Sequence, residues 1–315
     1  NIEGVVGLEM FRHDLQQAGF GLPDAYDNPA ISYREATVAP ANLLNDNAAV
    51  PPVPRALASI DAISGKSDSG SETTTYNVLD GTDYLAVKAT TVGRSSAAKK
   101  WTFVTYSAGP TPPFSGKAPN RWPNSEDNFK YRDRAIVVKR NFLPDGSANN
   151  IMIYNNNNTG DPAIYWPNDP TTNMNDDFNP KSGESTFYLY GVDSYSAAGL
   201  GMPFNRADFF VARPSDTSKV PGFCAPNTGI LYKTTVNHNG GKLFYMPLLD
   251  CVADMQVVFG WENPLGSGLI TETSANGAST PTAIAAWMAS PTEIRNRLKY
   301  VKVYIMAQDG RKDTN

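Results

Sequence analysis

The first nineteen residues of the chain constrain its fold more than any other segment. Small and apolar residues recur there at spacings of four, three, four and three, which predicts an amphipathic helix. This stripe consists of Gly4, Leu8, Phe11, Leu15 and Ala18. Gly19 and Gly21, followed by Pro23, predict that the helix ends there. Asp14 falls outside the stripe.

Three aliphatic residues near the start of this helix, Ile2, Val5 and Val6, point away from the stripe. The helix is therefore apolar nearly all round at its beginning. We expect it to be the lower half of a longer helix that continues upstream into a membrane or a filament core. The predicted assembly face comprises Ile2, Val5, Val6, Leu8, Phe11 and Leu15. The alternative is an ordinary amphipathic helix packed on its own domain.

The first three members of this face, Ile2, Val5 and Val6, should lack a partner within the chain. Phe11 and Leu15, with Ala18, should instead pack on the protein's own sheet. The face is thus expected to divide between two roles along one helix.

Composition narrows the partners that the chain can have. It has 315 residues with 27 basic and 31 acidic side chains, a net charge of −4 and no basic run, so nucleic acid is a poor partner. Only 18% of residues are charged, and Gly, Pro, Asn, Ser and Thr are abundant. This composition favours a protein of strands and loops outside the cytoplasm. The sequence has no run of eighteen apolar residues, so no segment of it is expected to span a bilayer.

The chain has two cysteines, Cys224 and Cys251. No C-x-x-C motif is present, which disfavours a zinc site or a haem attachment. In an exported protein an even pair usually forms a disulfide, and that is the prediction here. Two buried free thiols are the alternative.

Alternating and β-prone runs predict a β-rich body after the helix. Strands are predicted at residues 83–90, 101–106, 134–139, 187–192, 207–212, 256–261 and 300–307. Residues 229–236 and 243–246 flank Asn239-Gly240, a strong hairpin signal. Residues 248–255 fit one or two helical turns, and a short helix is expected at 281–289. Ser290-Pro291 begins another helix with a capping box.

The middle of the chain, residues 109–180, is rich in Pro and Asn and is expected to form loops that contribute little to the core. Residues 149–180 in particular are expected to be a surface excursion. Residues 173–177 (NMNDD) offer oxygen ligands suited to calcium, although they lack the spacing of a known calcium loop. No other cofactor is indicated. The fold predicted is α+β: an N-terminal helix on a mostly antiparallel β body with long loops.

Four blocks of this sequence resemble the PilW family of type IV pilus minor pilins. Residues 12–21 (RHDLQQAGFG) are similar to the family's R-x-D-L-x-x-A-G-Y/F-G signature, and residues 81–87 (GTDYLAV) to its G-S/T-D-x-L-x-V strand. Residues 247–260 (PLLDCVADMQVVFG) resemble its P-L-x-x-x-V-x-D-L-Q-V-x-Y/F-G block, and residues 297–307 its closing strand. The blocks occur in the family's order.

The resemblance implies a pilin-like fold. Residues 1–19 would be the C-terminal half of the spine helix and residues 20–315 the globular body. It implies a non-enzymatic subunit that helps to initiate or cap a pilus-like filament, with other minor pilins, the major pilin and a tip adhesin as partners. The subunit would be anchored in the inner membrane with a periplasmic body, and on the cell surface after assembly. The family's cleavage site and methylated N-terminal residue would lie upstream of Asn1.

Two alternatives remain open at this point. Pseudopilin J of type II secretion systems shares the architecture. A secreted adhesive or carbohydrate-binding β module is an alternative of a different class. Five Trp, 15 Tyr and 14 Phe are compatible with sugar binding, but most lie in predicted strands, where core packing is expected. An enzyme is not indicated, because His13 and His238, the only histidines, lie in different kinds of segment.

Overall fold

The computed structural model describes residues 2–27, 31–46, 53–61, 67–69, 74–106, 118–142, 144, 148–154, 165–166, 176–183, 185–194, 200–275 and 280–308. The helices are α1 (Ile2–Gln16), α2 (Thr282–Ala289) and α3 (Pro291–Arg297). The strands are β1 (Ala25–Tyr26), β2 (Leu57–Ile60), β3 (Ser67–Ser69), β4 (Thr75–Val78), β5 (Tyr84–Ala89), β6 (Trp101–Thr105), β7 (Asp133–Phe142), β8 (Ala148–Met152), β9 (Tyr165–Trp166), β10 (Thr186–Ser194), β11 (Asn205–Pro214), β12 (Gly229–Val236), β13 (Leu243–Glu262), β14 (Ile270–Ser274) and β15 (Leu298–Ala307).

The described strands form two sheets. The smaller has six strands in the order β1-β8-β7-β10-β6, with β9 added beside β7. The larger has nine strands, six of them in the order β14-β13-β12-β11-β4-β3. In addition, β15 pairs with β13, β5 pairs with β11, and β2 pairs with β5. The pairings are antiparallel except for β1 with β8. The predicted α+β class with a mostly antiparallel β body is confirmed.

Local sequence signals fixed several element ends correctly. The chain leaves α1 through Gly19 and Gly21, both with positive φ, a backbone conformation that favours glycine. Residues 237–242 close the β12–β13 hairpin as predicted. The Ser290 hydroxyl accepts a hydrogen bond from the Glu293 backbone N–H at 3.3 Å, so the predicted cap of α3 is present.

The predicted helical turns at residues 248–255 are wrong. This stretch lies within β13, a single 20-residue strand. The first half of β13 pairs with β12, and the second half of β13 pairs with β15 on one side and β14 on the other. Apolar residues at helical spacing also suit a strand that is covered on both faces, so the periodicity alone did not separate the two structures.

Part of the predicted loop region is core. Strand β7 confirms the strand predicted at residues 134–139, whereas β8, which was not predicted, occupies the start of the predicted surface excursion at 149–180. Met152 and Phe178 are fully buried, and Val137 and Val138 are buried in the smaller sheet. The expectation that this stretch contributes little to the core is therefore wrong for its described strands.

The two faces of the larger sheet are covered differently. Leu85 and Val87 of β5, with Phe209 of β11, face α1 and belong to one apolar cluster. Residues on the opposite face pack against the segment 31–46, which contains the buried Ala41 and Leu44.

A buried group of charges fastens that segment to the sheet. Lys88 of β5 contacts Glu35 at 2.8 Å and Asp46 at 2.6 Å. Arg206 of β11 contacts Glu35 at 2.9 Å and Asp208 at 2.7 Å. Burial alone would raise the pKa of Asp46, but its ion pairs with Lys88 and Arg55 hold that pKa below its ordinary value. Because charges of both signs are paired, the group is a structural tie between segment and sheet.

Candidate functional site

Helix α1 lies directly on the backbone of β13 at its N-terminal half. A Cβ atom added at Gly7 would lie 2.2 Å from the carbonyl oxygen of Leu248. One added at Gly4 would lie 2.8 Å from the Leu249 Cδ1 atom. These two glycines therefore permit the close approach of helix and strand. The sequence placed Gly4 in the packed stripe but gave Gly7 no role.

The C-terminal half of α1 is anchored by side chains. The Phe11 ring stacks on Phe209 of β11, with 4.1 Å between the ring centroids and 15° between the planes. Phe11 is only 3% exposed. Leu15 and Ala18 are partly buried against the same cluster. The predicted packing of these three residues on the protein's own sheet is confirmed.

Asp14 is buried, although it lies outside the predicted stripe. Its carboxylate forms an ion pair with the Lys233 ammonium group at 2.5 Å. Lys233 lies on β12, and it is also buried. This contact was not predicted, because the partner is far away in the chain. The position of Asp14, three residues after Phe11 and so close to it on the helix surface, was a signal that its carboxylate is buried.

The opposite side of the N-terminal half is apolar and exposed. Val5 is 63%, Val6 58% and Leu8 37% exposed, and we call these three residues the outer aliphatic surface. The expected exposure of Val5 and Val6 is confirmed. Leu8, which belongs to the predicted assembly face, lies on the exposed side because the helix turns its glycines rather than Leu8 toward β13. The Ile2 side chain lies outside the described residues.

An open groove runs beside the C-terminal half of α1. Its volume is about 690 Å³, and it is bounded by α1, the start of β8, α3 and the start of β15. Arg12 and Leu15 line it from the helix, and Arg295 and Lys299 line it from the opposite side. Arg295 forms an ion pair with Asp24, and Lys299 one with Glu262. The groove thus extends the accessible surface of α1 toward an edge of the larger sheet.

Cys224 and Cys251 form the predicted disulfide, with 5.0 Å between their Cα atoms. The bond joins the loop between β11 and β12 to the middle of β13, the strand on which α1 rests. A crosslink of this kind restricts the unfolded chain and so stabilises the folded one.

Among the residues that the structure describes, no group of three or more His, Cys, Asp or Glu side chains is placed to hold a metal ion. Residues 173–175 of the predicted calcium run lie outside the described residues. His238 is buried, and its Nε2 atom lies 2.9 Å from the Asn205 Oδ1 atom. Desolvation lowers the pKa of its imidazole to about 4.

The four sequence blocks that resemble the PilW family meet in space. The first forms the end of α1 and its exit, the second forms β5 and the turn before it, and the others lie in β13 and β15. Asp83 in the second block accepts a hydrogen bond from the Val257 N–H in the third at 2.6 Å. The third and fourth blocks pair as antiparallel strands. The blocks therefore build one unit, which is the helix and the sheet beneath it.

Comparison with protein-family models, with curated proteins and with solved structures found no significant match to this chain. The family assignment therefore stays a prediction. No helix in the described part of the chain is both long enough and apolar enough to cross a bilayer.

Proposed function

We propose that this chain is a structural subunit of a type IV pilus-like filament, of the minor-pilin class. The observation that carries the proposal is the outer aliphatic surface on a helix that is otherwise firmly anchored. An isolated domain gains nothing from presenting Val5, Val6 and Leu8 to water. Each such side chain contributes about 1.5–3 kcal/mol when it is fully buried, so a neighbouring helix would gain several kcal/mol.

The convergence of the four blocks supports the same proposal. Residues scattered over the chain resemble one family, and they assemble into the unit that would hold a spine helix on a pilin body. In this role the other minor pilins, the major pilin and a tip adhesin are the partners. The subunit would be anchored in the inner membrane with its body in the periplasm, and it would join a surface filament after assembly. A pseudopilin of type II secretion would use the same surface.

Cysteine labelling tests the proposal cleanly, because both native cysteines are held in the disulfide. Val5→Cys should react with a maleimide in the isolated chain but be protected in filaments sheared from cells that express the protein. Phe142→Cys is the matched control, since Phe142 is exposed at the end of β7. It should react in both samples. Equal reactivity of Val5→Cys in filament and isolated chain would refute the role of α1 in assembly.

A further inference from the structure

A second concave site lies on the smaller sheet, away from α1. It is a cleft of about 420 Å³ at the edge strand β6, where Trp101 and Trp122 meet. The ring centroids are 5.0 Å apart and the ring planes are tilted by 59°. Trp101 is 41% exposed, although it is one of the largest apolar side chains in the protein. We call this site, lined by Lys99, Lys100, Trp101, Trp122, Pro123, Asn124 and Asp127, the tryptophan cleft.

The cleft is held in shape by hydrogen bonds. The Trp122 indole N–H donates to the Trp101 backbone carbonyl at 2.8 Å, which fixes the two rings relative to each other. The buried Asn128 amide accepts from the Trp122 backbone N–H at 2.8 Å and donates to the carbonyls of Trp122 and Asn124 at 2.9 and 3.0 Å. A site that is already ordered loses less entropy when it binds a ligand.

A buried ion pair supports the floor of the cleft. The Lys100 ammonium group contacts the Asp133 carboxylate at 2.7 Å, and both residues are buried. The same carboxylate accepts a hydrogen bond from the Lys130 backbone N–H at 2.8 Å. Lys100 is therefore neutralised, and it brings no net positive charge to a ligand.

The remaining polar groups at the rim are of mixed character. Lys99 and Asp127 are exposed and opposite in charge, and neither has an ion pair within the described ranges. The Asn124 side-chain oxygen accepts from the Glu126 backbone N–H at 3.2 Å, so its amide NH₂ group is left as a donor. The cleft therefore offers aromatic faces together with a carboxylate acceptor and two kinds of nitrogen donor.

These properties select among ligand classes. Single-stranded nucleic acid also stacks on aromatic rings, but it requires a positively charged groove, and here the charges balance. A proline-rich peptide also docks on aromatic side chains, but its backbone carries few N–H groups. It would offer few donors to the Asp127 carboxylate. A hydroxyl-rich ring supplies both donors and acceptors, and its C–H face suits an indole surface.

We propose that the tryptophan cleft binds neutral saccharides. A pyranose ring would lie against the exposed face of Trp101, and its hydroxyl groups would donate to Asp127 and accept from Asn124 and Lys99. This role is separate from helix assembly, because none of the residues that line the cleft belongs to α1.

The test is isothermal titration of the chain with hexasaccharides of glucose, galactose, mannose and N-acetylglucosamine, with decaproline and heparin as competitors of other classes. At least one neutral hexasaccharide should bind, and Trp101→Ala should weaken its binding about tenfold or more. Asp127→Asn should weaken it less, without affecting folding, because Asp127 is exposed. Phe142→Ala is the matched control, as an exposed aromatic on the same sheet, and should bind like the unmodified chain.

Each remaining outcome would overturn the proposal. These are no binding of any neutral hexasaccharide, binding that is unchanged in both Trp101→Ala and Asp127→Asn, and decaproline or heparin binding that alone depends on Trp101. Thermal unfolding of each variant establishes that a lost interaction is not a lost fold.

Discussion

The two halves of the fifteen-residue helix α1 contact the larger sheet in different ways. The C-terminal half is anchored by the Phe11–Phe209 stack and the buried Asp14–Lys233 pair. The N-terminal half touches β13 through glycines and turns aliphatic side chains outward. The difference teaches that an amphipathic stripe does not have one meaning along its length. Side-chain burial holds the C-terminal half in place. The N-terminal half is held by its close approach to the β13 backbone, and its larger side chains stay available.

The largest expected effect concerns the anchor. Phe11→Ala should lower the free energy of unfolding by about 3–5 kcal/mol, because it removes a fully buried ring and leaves a cavity against Phe209. Denaturant unfolding measures the change. Phe142→Ala, at an exposed aromatic, should change it by less than about 0.5 kcal/mol. Similar small losses in both variants would remove the distinction between the two halves.

The buried ion pair is expected to come next. Asp14→Asn should cost about 2–3 kcal/mol, since it leaves the buried Lys233 ammonium group without its counter-charge. Glu9→Gln is the control on the same helix, because the Glu9–Arg12 pair is exposed and should be worth under about 1 kcal/mol. A neutral effect of Asp14→Asn would mean that Lys233 reaches solvent when its partner is lost.

Gly4 and Gly7 provide a matched pair of substitutions in the N-terminal half of α1. Gly7→Ala should destabilise the chain by about 1–3 kcal/mol, because the new methyl group meets the Leu248 backbone carbonyl and cannot be accommodated locally. Gly4→Ala meets only the end of the flexible Leu249 side chain, and alanine favours helix by about 1 kcal/mol over glycine, so the net change should be close to zero. If both substitutions are equally tolerated, α1 is not held against β13 in solution.

The smallest effect on stability is expected at the outer aliphatic surface. Changing Val5 and Val6 together to aspartate should alter the free energy of unfolding by less than about 0.5 kcal/mol, because both side chains already lie in water. The same change should abolish incorporation into filaments, as measured by immunoblotting of the sheared filament fraction. A large loss of stability would place these valines in a private core, and the proposed function would lose its main support.

Much of this arrangement was predictable because it depends on neighbours in the sequence. The end of α1 follows from Gly19 and Gly21, which suit a positive φ, and the β12–β13 hairpin from Asn239-Gly240. The cap at Ser290 is equally local. The exposure of Val5 and Val6 follows from their position opposite the packed stripe. In each case the physical cause acts over a few residues, so that the amino-acid sequence by itself determined the outcome.

Only the tertiary structure decided the rest. Residues 248–255 became strand because β12 and β15 supply hydrogen bonds to them, a choice that apolar periodicity leaves open. The rotation of α1, which buries Asp14 and exposes Leu8, depends on how closely Gly7 approaches β13 and on Lys233 of β12. The tryptophan cleft exists because an indole N–H reaches the backbone of an edge strand. These contacts join residues that are distant in the chain, and their energies depend on distances that only the folded protein sets.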